Sequence, residues 1–467
     1  MPEQPQDPYV DPATGRRWTK KQRLQRAFAR RLPRTAHALR WLRAKAYHYA
    51  WLSRYRSRGI AATWRGLGRA LGTIWTRHRQ PGFTVGIDVT PLWHPLTGVG
   101  WYLYRILEQI KDDPELELRL YGPYLLTGAD VPPPFVPLPT GRAIEHVAWD
   151  VPHDLVFSAG WIMKRIKNLE PLLIALDGNR ILFAPNYILP ARFSLARGRR
   201  VVTVHDLGLH RVPETLQEET RNVLAANLQK STHGARRLIT VSNAVRDELV
   251  EFGYAPRTKI DVVYHGPGQL AEVAAGELPD GIEPPFALHV GTLEPRKNIL
   301  RLLAAWEMLA GSDNGAPLLV LCGKFGWKTE EIKMAVAEAE ARGLVRHLGY
   351  VAEGELAALY QAAAVVVFPT RYEGFGLPAV EAQQAGAPLV CSDLPVLREI
   401  AGEGALYTPV DDAGAIAQTV GTLLADREAQ QRLRTLGRAN AGLLSWRRAA
   451  DLTIDCWRRA AGLGDAR

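Results

Sequence analysis

Two carboxylates eight positions apart, Glu373 and Glu381, bracket a glycine turn in the stretch Phe368-Pro369-Thr370-Arg371-Tyr372-Glu373-Gly374-Phe375-Gly376-Leu377-Pro378-Ala379-Val380-Glu381. Gly374 and Gly376 let the backbone approach a ligand closely. Pro378 suits the first turn of a helix, where a missing N–H costs nothing. A strand, a glycine turn and a helix start together present free N–H groups to a phosphate. Glu373 on the loop and Glu381 in the first helical turns would grip different parts of one long anionic ligand. Each piece also has a plainer use. A glutamate near a helix N-terminus complements the helix dipole, and Gly-Phe-Gly makes an ordinary tight turn. The combination is what points to chemistry.

A second block, His289-Val290-Gly291-Thr292-Leu293-Glu294-Pro295-Arg296-Lys297-Asn298, sets two cations after a strand and before a helix. Arg296 and Lys297 there form either a solvated basic turn or, beside the Gly291-Thr292 turn and Asn298, a phosphate clamp, and the setting favours the clamp. A metal would neutralise a phosphate equally well, but no Asp-x-Asp triplet occurs in the chain. Helix N-termini and Arg/Lys pairs do the same work. His205 follows the strand Val201–Val204, and the adjacent Asp206 would fix its tautomer. His265, in Tyr264-His265-Gly266-Pro267-Gly268, reads as structural.

The elements that must position these groups alternate strand and helix. The run from Ala362 to Phe368 is apolar and valine-rich, a buried strand. In the first half, Phe83–Val89 is a strand that enters the turn Thr97-Gly98-Val99-Gly100, with a helix from Trp101 to Lys111. Strands follow at 116–121, 180–183, 200–203, 238–241 and 261–263, and Ser242 caps a helix through Val250. Residues 271–285, rich in Ala, Gly, Glu and Pro, read as a linker. Strands then resume at 286–290, 317–322, 345–348 and 365–368, with helices at 300–309, 329–342 and 353–363. Such alternation implies α/β domains with parallel sheets, whose ligands bind at the carboxyl ends of the strands.

The Glu373–Glu381 stretch resembles the Glu-x7-Glu motif of retaining GT-B glycosyltransferases, family 4 (group 1), and the block around Lys297 resembles that family's diphosphate-binding segment. The likeness runs from about residue 83 to 460. It implies two Rossmann-like domains facing a cleft: 81–270 on the acceptor side, a linker at 271–285, a donor-binding domain at 286–445, and a C-terminal helix at 446–467 packing back across them. By resemblance Lys297 holds the donor diphosphate, with Arg296 supplying a guanidinium where the family often has Gly-Arg-Leu and this chain has Gly291-Thr292-Leu293. Glu373 contacts the donor sugar, backbone N–H groups of Gly374, Phe375, Gly376 and Leu377 serve sugar and phosphate, and Glu381 binds the ribose diol. His205 lies near the reacting centre. Gly98 and Gly100 match the glycine loop facing the diphosphate, or form only a strand–helix turn. The co-substrate implied is a GDP- or UDP-hexose of mannose or glucose type, with no cofactor or metal, and the acceptor a lipid-linked or surface-polysaccharide glycan. No residue offers itself as a nucleophile, and the family is held to use front-face attack. Arg371 and Tyr372 precede the motif, but no physical rule reads them into a particular hexose.

The net charge of +10 belongs to one end. Residues 1–80 hold 19 Lys and Arg against 3 Asp and Glu, a net of +16, whereas the remaining 39 basic and 45 acidic residues give −6. Residues 1–15 read as disordered. From Arg16 to Arg79 the pattern is helical and basic, with Ile60, Trp64, Leu67, Leu71 and Ile74 on one stripe and five of the 13 tryptophans in the segment. It would lie on an anionic membrane surface, pack on its own chain, or bind nucleic acid. The tryptophans favour the membrane, and nucleic acid comes last. Three scattered cysteines, no secretory signal and no 18-residue apolar run imply a cytoplasmic protein, peripheral on the inner face of the membrane. The rival functions are a GT-B epimerase or phosphorylase, and a membrane-associated sugar-nucleotide scaffold or sensor without transfer.

Overall fold

The computed structural model describes Gly72, Ile74 and residues 82–93, 97–123, 134–147, 169–268, 273–312 and 315–464. Apart from Gly72 and Ile74, the readings of residues 1–15 and 16–79 lie outside the described residues. The described residues fall in one compact unit.

Thirteen strands among the described residues build two all-parallel sheets. The first contains β1 (Phe83–Asp88), β2 (Leu116–Tyr121), β3 (Ile144–Val147), β4 (Ile181–Ala184), β5 (Arg200–Val204), β6 (Arg237–Thr240) and β7 (Ile260–Val262), in the order β3-β2-β1-β4-β5-β6-β7. The second contains β8 (Phe286–Val290), β9 (Leu318–Cys322), β10 (Val345–Gly349), β11 (Val365–Phe368), β12 (Leu389–Ser392) and β13 (Leu406–Thr408), in the order β10-β9-β8-β11-β12-β13. In both sheets the order of strand addition reverses beside the first strand, between β1 and β4 and between β8 and β11. Ligands of such sheets bind outside the carboxyl ends of the strands, at the switch point.

Near-continuous apolar strands explain the parallel pairing. In β11, Val365 and Val367 enter one core with Ala287 and Trp306, while Val366 and Phe368 enter the other with Leu288 and Phe375. A strand buried on both faces has helices on both sides. Five helices bear on the site: α1 (Gly98–Ile110), α2 (Asn243–Glu251), α3 (Ile299–Ala310), α4 (Leu377–Ala385) and α5 (Trp446–Ala460). Ala449, Ala450, Ile454 and Trp457 of α5 share the first sheet's core with Tyr102 and Phe183. Among the described residues no helix is long and apolar enough to cross a membrane.

The structure departs from the sequence reading at one candidate loop. Gly98 and Gly100 do not form a turn ahead of a helix beginning at Trp101; they are the first and third residues of α1 itself. The backbone closes the helix one turn earlier because the Trp101 N–H already reaches the Thr97 carbonyl, at 3.0 Å. Strands β3, β12 and β13 were not anticipated.

Candidate functional site

Two loops from adjacent strands meet at the switch point of the second sheet. After β8, Gly291 at φ 146° turns the chain, a short 3-10 turn carries Pro295–Lys297, and Asn298 at φ 60° redirects it into α3. The Asn298 amide donates to the Val410 carbonyl at 2.7 Å, which holds that left-handed residue. After β11, the Arg371 N–H donates to the Arg296 carbonyl at 2.8 Å, so the two loops are joined along their backbones.

This joining brings Glu294, Arg296, Lys297, Thr370 and Glu373 together. Lys297 Nζ bonds Oε1 of Glu373. Arg296 Nη1 lies 3.4 Å from Oε2 of the same carboxylate, and Arg296 Nη2 lies 2.9 Å from Glu294 Oε1. Thr370 Oγ1 stands 3.0 Å from Glu373 Oε1. The Lys297 ammonium also sits 5.0 Å from the Phe368 ring centroid. Burial alone would raise the Glu373 carboxyl, but Lys297 and Arg296 outweigh it and hold the group below the usual carboxylate range. For Lys297 burial dominates and lowers the ammonium, partly offset by Glu373. Burial raises Glu294 despite Arg296 beside it.

The rest of the paired-glutamate motif follows. Gly376, at φ 94°, precedes α4, and Pro378 stands in that helix's first turn. The backbone N–H groups of Phe375, Gly376 and Leu377 take no acceptor among the described residues. Glu381 lies on α4, one turn further on, where its Oε2 accepts from the Tyr360 hydroxyl at 3.0 Å. Gly268, at the end of the segment after β7, packs against Glu381 so closely that a Cβ there would strike its side chain.

The first sheet supplies the facing wall. His205 follows β5, is buried, and its Nε2 lies 2.8 Å from the Pro185 carbonyl. A carbonyl only accepts, so Nε2 carries the proton and Nδ1 keeps its lone pair. Burial lowers this imidazole's pKa, against the Pro185 bond and Asp206. Asp206 does not orient His205 through a hydrogen bond, contrary to the sequence expectation; its Oδ2 accepts from the Tyr187 hydroxyl at 2.7 Å and its Oδ1 from the Gly208 N–H at 3.0 Å. Gly374 meets this wall directly: a Cβ at 374 would fall on the His205 carbonyl oxygen. Ser242, the N-cap of α2, donates from Oγ to the Gly374 carbonyl at 2.7 Å.

Other candidates stand apart from this cluster. No hydrogen bond or ion pair ties Gly98 or Gly100 to it, although Tyr102 on the same helix packs edge-on against His205 at 5.0 Å. His265 is stacked between Tyr102 and Trp446, with centroids at 5.1 and 5.6 Å, and neither ring nitrogen has a partner among the described residues. Glu294 and Thr370 carry no local sequence signal of their place in the site, and the sequence marks Ser242 only as a helix cap. The Ser242 cap was legible, but its second bond needs the other sheet.

The arrangement offers two cations, a buried carboxylate, unpaired backbone donors at a helix start and a neutral imidazole around one crevice. Such a set suits an anion linked to a polyol. Residues 277–440 match the family described as "Glycosyl transferases group 1", and residues 126–266 match "Glycosyltransferase Family 4". The chain is 29% identical over 381 residues to the Escherichia coli protein named O-antigen chain mannosyltransferase B, covering 79% of this chain and 97% of that protein. The fold matches sucrose-phosphate synthase from Thermosynechococcus elongatus (TM-score 0.59, 20% identity, 80% of this chain and 98% of that one). It also matches Anabaena HepE in complex with UDP-glucose (TM-score 0.56, 17% identity, 81% and 98%). Both likenesses support two Rossmann-like domains in the GT-B manner.

Proposed function

We propose that this chain, which belongs to the group 1, family 4 glycosyltransferases, moves a hexose of mannose type from a nucleoside-diphosphate sugar to a growing lipid-linked or surface glycan, with retention and without a metal. The observation that carries this reading is the Lys297–Glu373–Arg296 cluster at the switch point of the second sheet. Two cations there neutralise the charge that grows on a departing diphosphate. Glu373 holds the donor sugar's hydroxyls, the N–H groups after it meet sugar and phosphate, and Glu381 takes the ribose. The α1 start, whose Gly98 and Gly100 are bonded to none of these residues, would face the diphosphate from the other sheet. His205, neutral and with its Nδ1 lone pair available, accepts a hydrogen bond from the sugar.

In the transfer step the acceptor hydroxyl attacks the anomeric carbon from the face the diphosphate leaves. The anomeric C–O bond to phosphate breaks, and the departing phosphate oxygen takes the acceptor's proton. The E. coli relative's name favours mannose and an O-antigen chain as acceptor. The domain limits proposed are 81–270 and 286–445 around a linker at 271–285, with 446–467 crossing back. Residues 16–79 would hold the enzyme on the anionic inner face of the membrane.

Thermal-shift measurements against a panel of GDP- and UDP-hexoses test the donor assignment. One diphosphate sugar should raise the melting point and be consumed when a glycan acceptor is added. No shift with any member contradicts the reading. Sedimentation with anionic liposomes, comparing the full chain with one lacking residues 1–80, tests the membrane assignment, and equal pelleting refutes it.

A further inference from the structure

We infer that Tyr372 is a positioning residue of this site, whose hydroxyl fixes the Glu373 loop against the His205 strand end; the inference rests on the transfer reading above. Tyr372 immediately precedes Glu373 and is 6% exposed. Its hydroxyl donates to Glu248 Oε2 on α2 at 2.6 Å and accepts from the Leu207 N–H at 2.6 Å. Leu207 is two residues beyond His205. The other end of Tyr372 is held from the second sheet: its carbonyl accepts from Arg296 Nη1 at 3.2 Å.

One residue therefore spans the two walls, bonded at its backbone to the cation that contacts Glu373 and at its side chain to the loop that carries His205. Glu248 is itself fixed, because its Oε1 accepts from Arg211 Nε at 2.9 Å. The Tyr372 ring also covers Gly208, where a Cβ would sit 3.6 Å from it. The hydroxyl proton goes to a carboxylate and a lone pair receives an N–H, so a phenylalanine keeps the ring and loses both bonds. It would leave the Leu207 N–H buried without a partner. Transfer depends on the spacing between the sugar-holding carboxylate and the opposite wall, and a misplacement of about 1 Å costs on the order of 100-fold in rate. The diphosphate clamp does not include the Tyr372 hydroxyl, so donor binding should change little.

The test is steady-state kinetics of the full chain, with melting points, for Tyr372→Phe, Glu248→Ala and the double variant. Tyr372→Phe should lower kcat about 10- to 100-fold with donor KM within about threefold of the parent. Glu248→Ala reaches the same hydroxyl from the other side and should lower kcat in the same direction. The double variant should lose no more than the worse single variant, as expected for one shared interaction. A parent-like kcat in both single variants, a loss carried by donor KM instead of kcat, or losses that multiply in the double variant would each overturn the inference. A parent chain that turns over no donor overturns the transfer reading and this inference with it; an active parent with an unaffected Tyr372→Phe overturns this inference alone.

Discussion

Lys297 and Glu373, 76 positions apart in sequence, are bonded side chain to side chain at the ends of adjacent parallel strands. Both are nearly buried, with side-chain exposures of 9% and 10%. A buried pair of this kind adds little net stability, yet removing one partner strands a charge. Lys297→Met should therefore destabilise the fold by about 3 kcal/mol in urea unfolding, somewhat less than a fully orphaned charge because Arg296 remains. Lys297→Met with Glu373→Gln should recover much of that loss. Transfer should be absent from both. A double variant as unstable as the single one would show that the pair is not the cause.

Gly374 is required by contact with the other sheet. Since a Cβ would strike the His205 carbonyl, Gly374→Ala must push the loop away from β5. The expected result is loss of transfer together with a lowered melting point. Parent-like activity in this variant would mean that the two walls need not touch.

His205 offers a finer test, because its two nitrogens have different tasks. Glutamine can still donate to the Pro185 carbonyl but has nothing to replace the Nδ1 lone pair at the same place. His205→Gln should keep the melting point within a few degrees and lose most of its turnover. His205→Ala should lose both. Full activity in the glutamine variant would remove Nδ1 from the site.

Acid should destabilise the protein through its buried histidines as the pH falls below about 6.5. Burial lowers His289 to about 4, and it also lowers His205 and His265. In the unfolded chain all three titrate near 6.5, so below that pH the unfolded chain binds more protons and stability falls. For His289 the window runs from about 6.5 down to about 4, worth on the order of 3 kcal/mol. Glu373, held low, loses its contribution only below its unfolded value of 4.5. His289→Asn can still donate to the Val367 carbonyl, which His289 Nδ1 reaches at 2.9 Å. It should flatten the stability curve between pH 6.5 and 5, and an unchanged slope would assign the acid sensitivity elsewhere.

Much of the fold was legible because its strands are short apolar runs separated by amphipathic helices. Phe286–Val290 and Val365–Phe368 lie where the pattern puts them. The α1 start differs from the sequence pattern because two glycines suggest a turn where the backbone is already helical. Within the site, Arg296, Lys297 and Glu373 could be named from local spacing, since each follows a strand end. The long-range contacts that fix their loops could not. Tyr372 meets Glu248 and Ser242 meets Gly374 across 124 and 132 positions, and such distances carry no periodicity to read. Asp206 shows the converse, because adjacency in sequence to His205 did not make it that residue's hydrogen-bond partner.

Retention and independence of a metal are read together by proton NMR of the reaction between the full chain, a panel of GDP- and UDP-hexoses and a mannose-terminated acceptor, with a chelator present. A new glycosidic anomeric signal with the donor's own anomeric configuration is expected, undiminished by the chelator and absent from Glu373→Ala. Transfer with inverted configuration, transfer abolished by the chelator, or transfer undiminished in Glu373→Ala would contradict retaining, metal-independent transfer at this site.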